Sequence, residues 1–70
     1  MVNWQKVVLN LQDQYGPISR IGRELSIKDD HLRRLARGEV AEPKFNSGVR
    51  LLDLHFDVMG ERHREVLCNA

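Results

Sequence analysis

Between Lys28 and Arg37 the chain reads K-D-D-H-L-R-R-L-A-R. At about 100° per residue, Asp29, Asp30, Arg33, Arg34 and Arg37 span roughly 140° of a helix, and Leu32, Leu35 and Ala36 occupy the opposite side. Arginine carries a planar fork that donates two hydrogen bonds to guanine O6 and N7, so Arg33 and Arg34, in the middle of this face, are candidates for base contacts. Lys28, at the start of the helix, is placed to reach a base or a phosphate. Asp29 and Asp30 suit either of two roles. A carboxylate there accepts from cytosine N4 or orients a neighbouring arginine, and it also starts any helix favourably, because the dipole attracts acids to the first turn. Arg20, Arg37, Lys44 and Asn46 flank this helix and are candidates for phosphate contacts, which set register without reading sequence. Other chemistry is poorly served. His31, His55, His63 and Cys68 are of zinc-binding types but lack the short paired spacings that close a site, and no Ser/His/Asp or Cys/His set can be gathered into one pocket. The expectation is therefore no catalytic residue, no metal, no cofactor and no small-molecule substrate.

The elements that position these residues are marked by Gly, Pro and apolar periodicity, which is helical throughout. Trp4, Val7, Val8, Leu11 and Tyr15 share one face of a first helix, with Asn3 as its N-cap and Leu9 off the face. Gly16-Pro17 ends that helix, with Gly in the left-handed conformation and Pro opening the next. Ile18, Ile21 and Leu25 form the stripe of a short second helix, and Gly22 is the small residue that lets its partner approach. Ser26 and Ile27 make a tight connection with Ile27 turned inward, and a third helix runs from Asp29 to Arg37, closed by Gly38. After a loop, Asn46 or Ser47 caps a fourth helix ending near Phe56. Two short helices joined in this way, the second bearing a dense polar face, describe a helix-turn-helix.

From Gly16 to about Val58 the chain resembles the Cro/CI-type (XRE-like) helix-turn-helix repressors of phages and bacteria. The resemblance rests on I-S-R-I-G-R-E-L-S-I-K-D-D-H-L-R-R-L-A-R-G, then E-V-A-E-P and V-R-L-L-D-L-H-F, and it covers more than half of the chain. It implies an all-α, four- to five-helix lambda-repressor-like bundle that binds operator DNA as a homodimer, with the third helix in the major groove. Gly22 stands where the family commonly has Ala, Ser26 where it has the Gly of the turn, and Ser19-Arg20 where a phosphate-holding Gln is frequent, which makes Ser19 and Arg20 the phosphate candidates there. A different use of the same scaffold is as a protein-binding module against a host or polymerase factor.

The fourth helix is apolar on two sides. Phe45, Val49, Leu52 and Phe56 fall within about 60° of one another and are expected to face the core. Leu51, Leu54 and Val58 form a second stripe, expected to be a dimer interface or to be covered by Val66 and Leu67 of a folded-back tail. The organisation expected is a DNA-binding domain over residues 1–60 and a tail or short helix over 61–70.

Length and charge set the bounds. Seventy residues allow one domain, and a chain this short buries only about 60% of its unfolded surface, too little for a large desolvated active site. A single cysteine, Cys68, allows no intrachain disulfide and suggests a reducing compartment. No signal-peptide-like or membrane-spanning stretch is present, so the expected location is cytoplasmic, with the nucleoid. The formal net charge is only +1, but residues 16–44 hold Arg20, Arg23, Lys28, Arg33, Arg34, Arg37 and Lys44 against Glu24, Asp29, Asp30, Glu39 and Glu42. A locally basic surface on a nearly neutral domain implies weak non-specific and more selective specific binding of double-stranded DNA.

Overall fold

The structure, a computed structural model, describes residues 2–67, and Cys68 lies outside them. Its order is α1 (Trp4–Gln14), α2 (Ile18–Leu25), α3 (Asp29–Ala36), α4 (Phe45–Met59), a 3₁₀ turn (Gly60–His63) and a short α5 (Arg64–Leu67). The described residues contain no strand, so the chain is all-α.

The first three helices bury the stripes that periodicity marks. Val7, Val8 and Leu11 of α1, Ile21 of α2, and Leu32 and Leu35 of α3 are fully buried, and Ile27 closes the α2–α3 corner. Trp4, Tyr15, Ile18, Leu25 and Ala36 pack against this cluster from its margin, and Leu9 is exposed. Asn3 caps α1, its side chain accepting from the Lys6 N–H at 3.1 Å. At the end of α3 the Gly38 N–H donates to Leu35 O and the Glu39 N–H to Arg34 O, with Gly38 at φ +78°. These two bonds and the left-handed glycine satisfy carbonyls that the helix end would otherwise leave free.

Gly16 is not left-handed. Positive φ occurs only at Ser26, Gly38 and Gly60 among the described residues. What Gly16 provides is space: a Cβ there would stand 2.8 Å from Arg20 Cδ. Arg20 in turn donates to Tyr15 O at 3.3 Å and lies 4.5 Å over the Tyr15 ring, so it closes the end of α1. Gly60, at φ +60° and ψ −128°, ends α4 in a conformation that side chains rarely adopt, with open space where a Cβ would go. Gly60→Ala therefore isolates backbone strain from crowding. It should destabilise the fold by about 1–2 kcal/mol, read as a lower urea midpoint at unchanged slope.

The fourth helix is rotated by about a quarter turn from expectation, and of the expected core stripe only Leu52 packs, half-buried, against the core cluster. It begins at Phe45 with Lys44 as N-cap, not Asn46 or Ser47, and continues to Met59. Its buried side is Gly48, Leu51, His55 and Met59, whereas Phe45, Val49 and Phe56 are exposed. Leu51 is fully buried in the core cluster, and Leu54 and Val58 pack against that cluster from its edge, so Leu51 is not an interface residue and the stripe is not free. The cause lies in two residues that do not look apolar. Gly48 gives close approach to α1, since a Cβ there would sit 3.0 Å from the Trp4 ring, and His55 is buried with its ring nitrogens partnered.

The tail folds back. Asn3 N–H donates to Val66 O at 2.8 Å, Val66 is fully buried in the same cluster as Leu51, and Leu67 stays exposed. The 3₁₀ turn is pinned by imidazoles: the Asn10 amide nitrogen donates to His55 Nε2 at 3.0 Å, and the Nδ1 atoms of His55 and His63 lie 2.8 Å apart. This pattern fits a neutral His55 with its proton on Nδ1, where a second proton would meet the Asn10 amide head-on. Burial, reinforced by nearby His63, Arg62 and Lys6 against an opposing Glu65, holds His55 below the ordinary histidine range. Because the folded state resists protonation, the stability from His55 is complete above about pH 6.5 and is lost as pH falls through the folded-state value, by at most about 1.4 kcal/mol per pH unit. Urea midpoints at about pH 7.5 and about pH 5 should show that fall, and His55→Gln should reduce it.

Candidate nucleic-acid interface

The α2–α3 corner sets the position of everything on α3. Ser26 takes a left-handed conformation, φ 58° and ψ 44°, as the C-cap of α2, and Ile27 N–H donates to Gly22 O at 2.9 Å. At Gly22 an added Cβ would come within 2.5 Å of Ile27 O, so even an alanine would need the corner to open. The same virtual Cβ lies 2.8 Å from Asp29 Oδ1. Asp29 therefore leans back toward α2 instead of projecting squarely from α3.

Beyond that corner, Arg33, Arg34 and Arg37 are exposed on the outer side of α3. Two of them are held by acids one turn earlier: Arg33 with Asp29 at 3.9 Å and Arg34 with Asp30 at 3.2 Å. Arg37 reaches Glu39 at 3.5 Å. An exposed i,i+4 pair contributes only about 0.3–0.5 kcal/mol, so a phosphate or a base edge competes easily for these guanidinium groups. Until then the acids orient them.

Beside the first turn of α3 lies an open recess of about 330 Å³ lined by Ser26, Ile27, Lys28, His31, Lys44 and Ser47. Lys28 and Lys44 are the N-caps of α3 and α4, and neither helix has a side-chain cap. Two helix starts with uncapped N–H groups thus border one concavity that has two lysines and no acid in its lining, an arrangement suited to an anion. His31 Nε2 is buried without a partner among the described residues.

The residues expected to contact DNA are only partly gathered. Lys28 and Lys44 meet at the recess, Arg33, Arg34 and Arg37 share the α3 face, and Asn46 is exposed in the first turn of α4. Ser19 is exposed on α2, and Arg20, though exposed, is engaged with Tyr15. Ser26, His31 and Ser47 had no signal as recess residues in the sequence, because only the approach of α4 to the α2–α3 corner puts Ser47 near them.

No helix among the described residues is long and apolar enough to cross a membrane. No protein-family model, curated protein or solved structure gives a significant match to the chain.

Proposed function

We propose that the chain is a sequence-specific DNA-binding transcriptional regulator of the phage or prophage repressor type, in which α2 and α3 act as a helix-turn-helix. The observation that carries this reading is the exposed arginine face of α3 beside a lysine-lined recess at its N-terminal end. In this reading α3 lies in the major groove, Arg33 and Arg34 read base edges, and a backbone phosphate sits at the recess between Lys28 and Lys44. Asp29 and Asp30 hold the arginines in place and disfavour wrong registers, since an unpartnered carboxylate near phosphate costs affinity. Two copies bind a pseudo-palindromic operator with half-sites about 34 Å apart. A domain whose extents are 28 × 22 × 20 Å is small enough for two copies to sit side by side over one helical turn. Occupying promoter DNA is the means of repression.

A titration against random-sequence duplex at about 50 and about 200 mM salt tests the binding itself, with affinity falling as salt rises. No binding at the lower salt would overturn the reading.

A further inference from the structure

The 3₁₀ turn and α5, residues 60–67, are too short to hold helical form alone and depend on what anchors them. Among the described residues the turn packs on α4 and α5 on α1, and neither approaches α2 or α3. Two anchors are substantial. Val66 is fully buried in the core, its carbonyl accepting from Asn3 N–H at 2.8 Å, and Nδ1 of His63 lies 2.8 Å from Nδ1 of fully buried His55. Glu65 also pairs with Lys6 at 3.8 Å and with Arg62 at 3.7 Å, but these groups are half-exposed and add little. At the base of the segment stands Gly60, with φ +60° and open space beside it, where the backbone is free to pivot.

The imidazole anchor is the one that a proton can undo, since histidine changes charge between about pH 5 and 8. A hydrogen bond between two ring nitrogens contains one proton, donated by one ring to the lone pair of the other. At least one ring must therefore be neutral. With both rings cationic, each Nδ1 carries a hydrogen, and the two meet at 2.8 Å between like charges. This holds whichever tautomers the neutral rings adopt and whichever way the Asn10 amide on His55 Nε2 is turned. The surroundings give no relief. Lys6 from α1 and Arg62 from the turn bring further positive charge, and Glu65, the acid that favours a charged His55, is already shared between those two cations. On its other side His63 meets only the Phe56 ring, edge-on at 5.4 Å.

We infer that residues 60–67 form a strap, closed on the domain while either His55 or His63 is neutral, which lifts at Gly60 when both are protonated and draws Val66 out of the core while α1 to α4 stay folded. His55 has no exposed surface in the closed form, so its protonation and the lifting of the strap are one event. The acid sensitivity of the whole fold thereby acquires a local first step, in which apolar surface of α1 and α4 is uncovered before any helix of the body unfolds. The strap lies away from α2 and α3, so it does not depend on the DNA-binding reading and is tested without DNA.

Amide hydrogen exchange read by NMR at about pH 7.5 and about pH 5, corrected for the intrinsic rates, is the measurement. The Asn3 N–H, bonded to Val66 O, reports the strap, and the amides of fully buried Val8 and Leu11 report the body. Protection at Asn3 should fall at least about tenfold in acid while Val8 and Leu11 remain protected. His63→Gln offers an oxygen that accepts from His55 Nδ1–H in either charge state, and it should reduce the change at Asn3 to under about threefold. Imidazole nitrogen shifts of the parent, followed over the same range, should show both rings cationic only where Asn3 protection is lost. Asn3 protection that is equal at the two pH values, a His63→Gln variant with the parent's pH dependence, or a protected Asn3 amide with both rings cationic would each overturn the inference.

Discussion

Leu51→Ala is expected to lower the free energy of unfolding by about 2–5 kcal/mol, whereas Phe45→Ala on the same helix should leave it within about 0.5 kcal/mol. Leu51 is fully buried among the side chains of the core cluster, so truncation loses the transfer energy of its methyl groups and leaves a cavity that helices on several sides cannot all close. Small domains have only about 5–15 kcal/mol in total, and this single change removes a large share of it. Phe45 is mostly in solvent and leaves no such hole. Urea unfolding followed by the fluorescence of Trp4, which packs against the core from its margin, reads both variants. The pair separates the two orientations of α4: with the expected stripe turned inward, Phe45→Ala would be the damaging change and Leu51→Ala the neutral one.

The second large effect concerns function. Arg33→Ala and Arg34→Ala should each cost about 1–3 kcal/mol in binding the preferred duplex, roughly a fivefold to 150-fold loss, and should relax preference at the base each one reads. Neither substitution should alter stability by more than about 0.5 kcal/mol, since the ion pairs lost with Asp29 and Asp30 are half-exposed. Lys44→Ala should behave differently. In the proposed complex it faces a phosphate at the recess and no base, so its loss should weaken all sequences alike and flatten the dependence on salt. Competition titrations with preferred and random duplexes distinguish these outcomes. Equal losses on both duplexes for the Arg33 variant would remove it from the base-reading role.

Much of this architecture was legible because the first three helices have single, unambiguous stripes. Val7, Val8 and Leu11 leave only one face that can be buried, and Gly22, Ile27 and Gly38 mark a close approach, a corner and a stop. The fourth helix offered two apolar stripes, and period alone does not say which faces inward. The tight clustering of Phe45, Val49, Leu52 and Phe56 favoured their side, but the core is built on an adjacent side by a glycine that admits Trp4 and a histidine partnered by Asn10 and His63. Both residues are invisible to a hydrophobic pattern. The candidate site was legible at the level of one helix: the acids and arginines of α3 pair i to i+4, as the spacing allows. The recess was not, because it joins residues about twenty apart in sequence that only tertiary packing brings together. Arg20 shows the reverse case, a residue of the right type and place that the end of α1 has already engaged.

The central claim, that α3 reads DNA sequence, is tested most directly by selecting bound duplexes from a pool with a fully randomised core. The account predicts enrichment of two inverted half-sites centred about 10–10.5 base pairs apart, or a multiple of that, with a guanine in each whose enrichment disappears for Arg33→Ala or Arg34→Ala. A bound pool with the same base frequencies at every position as the input, through successive rounds, would contradict it.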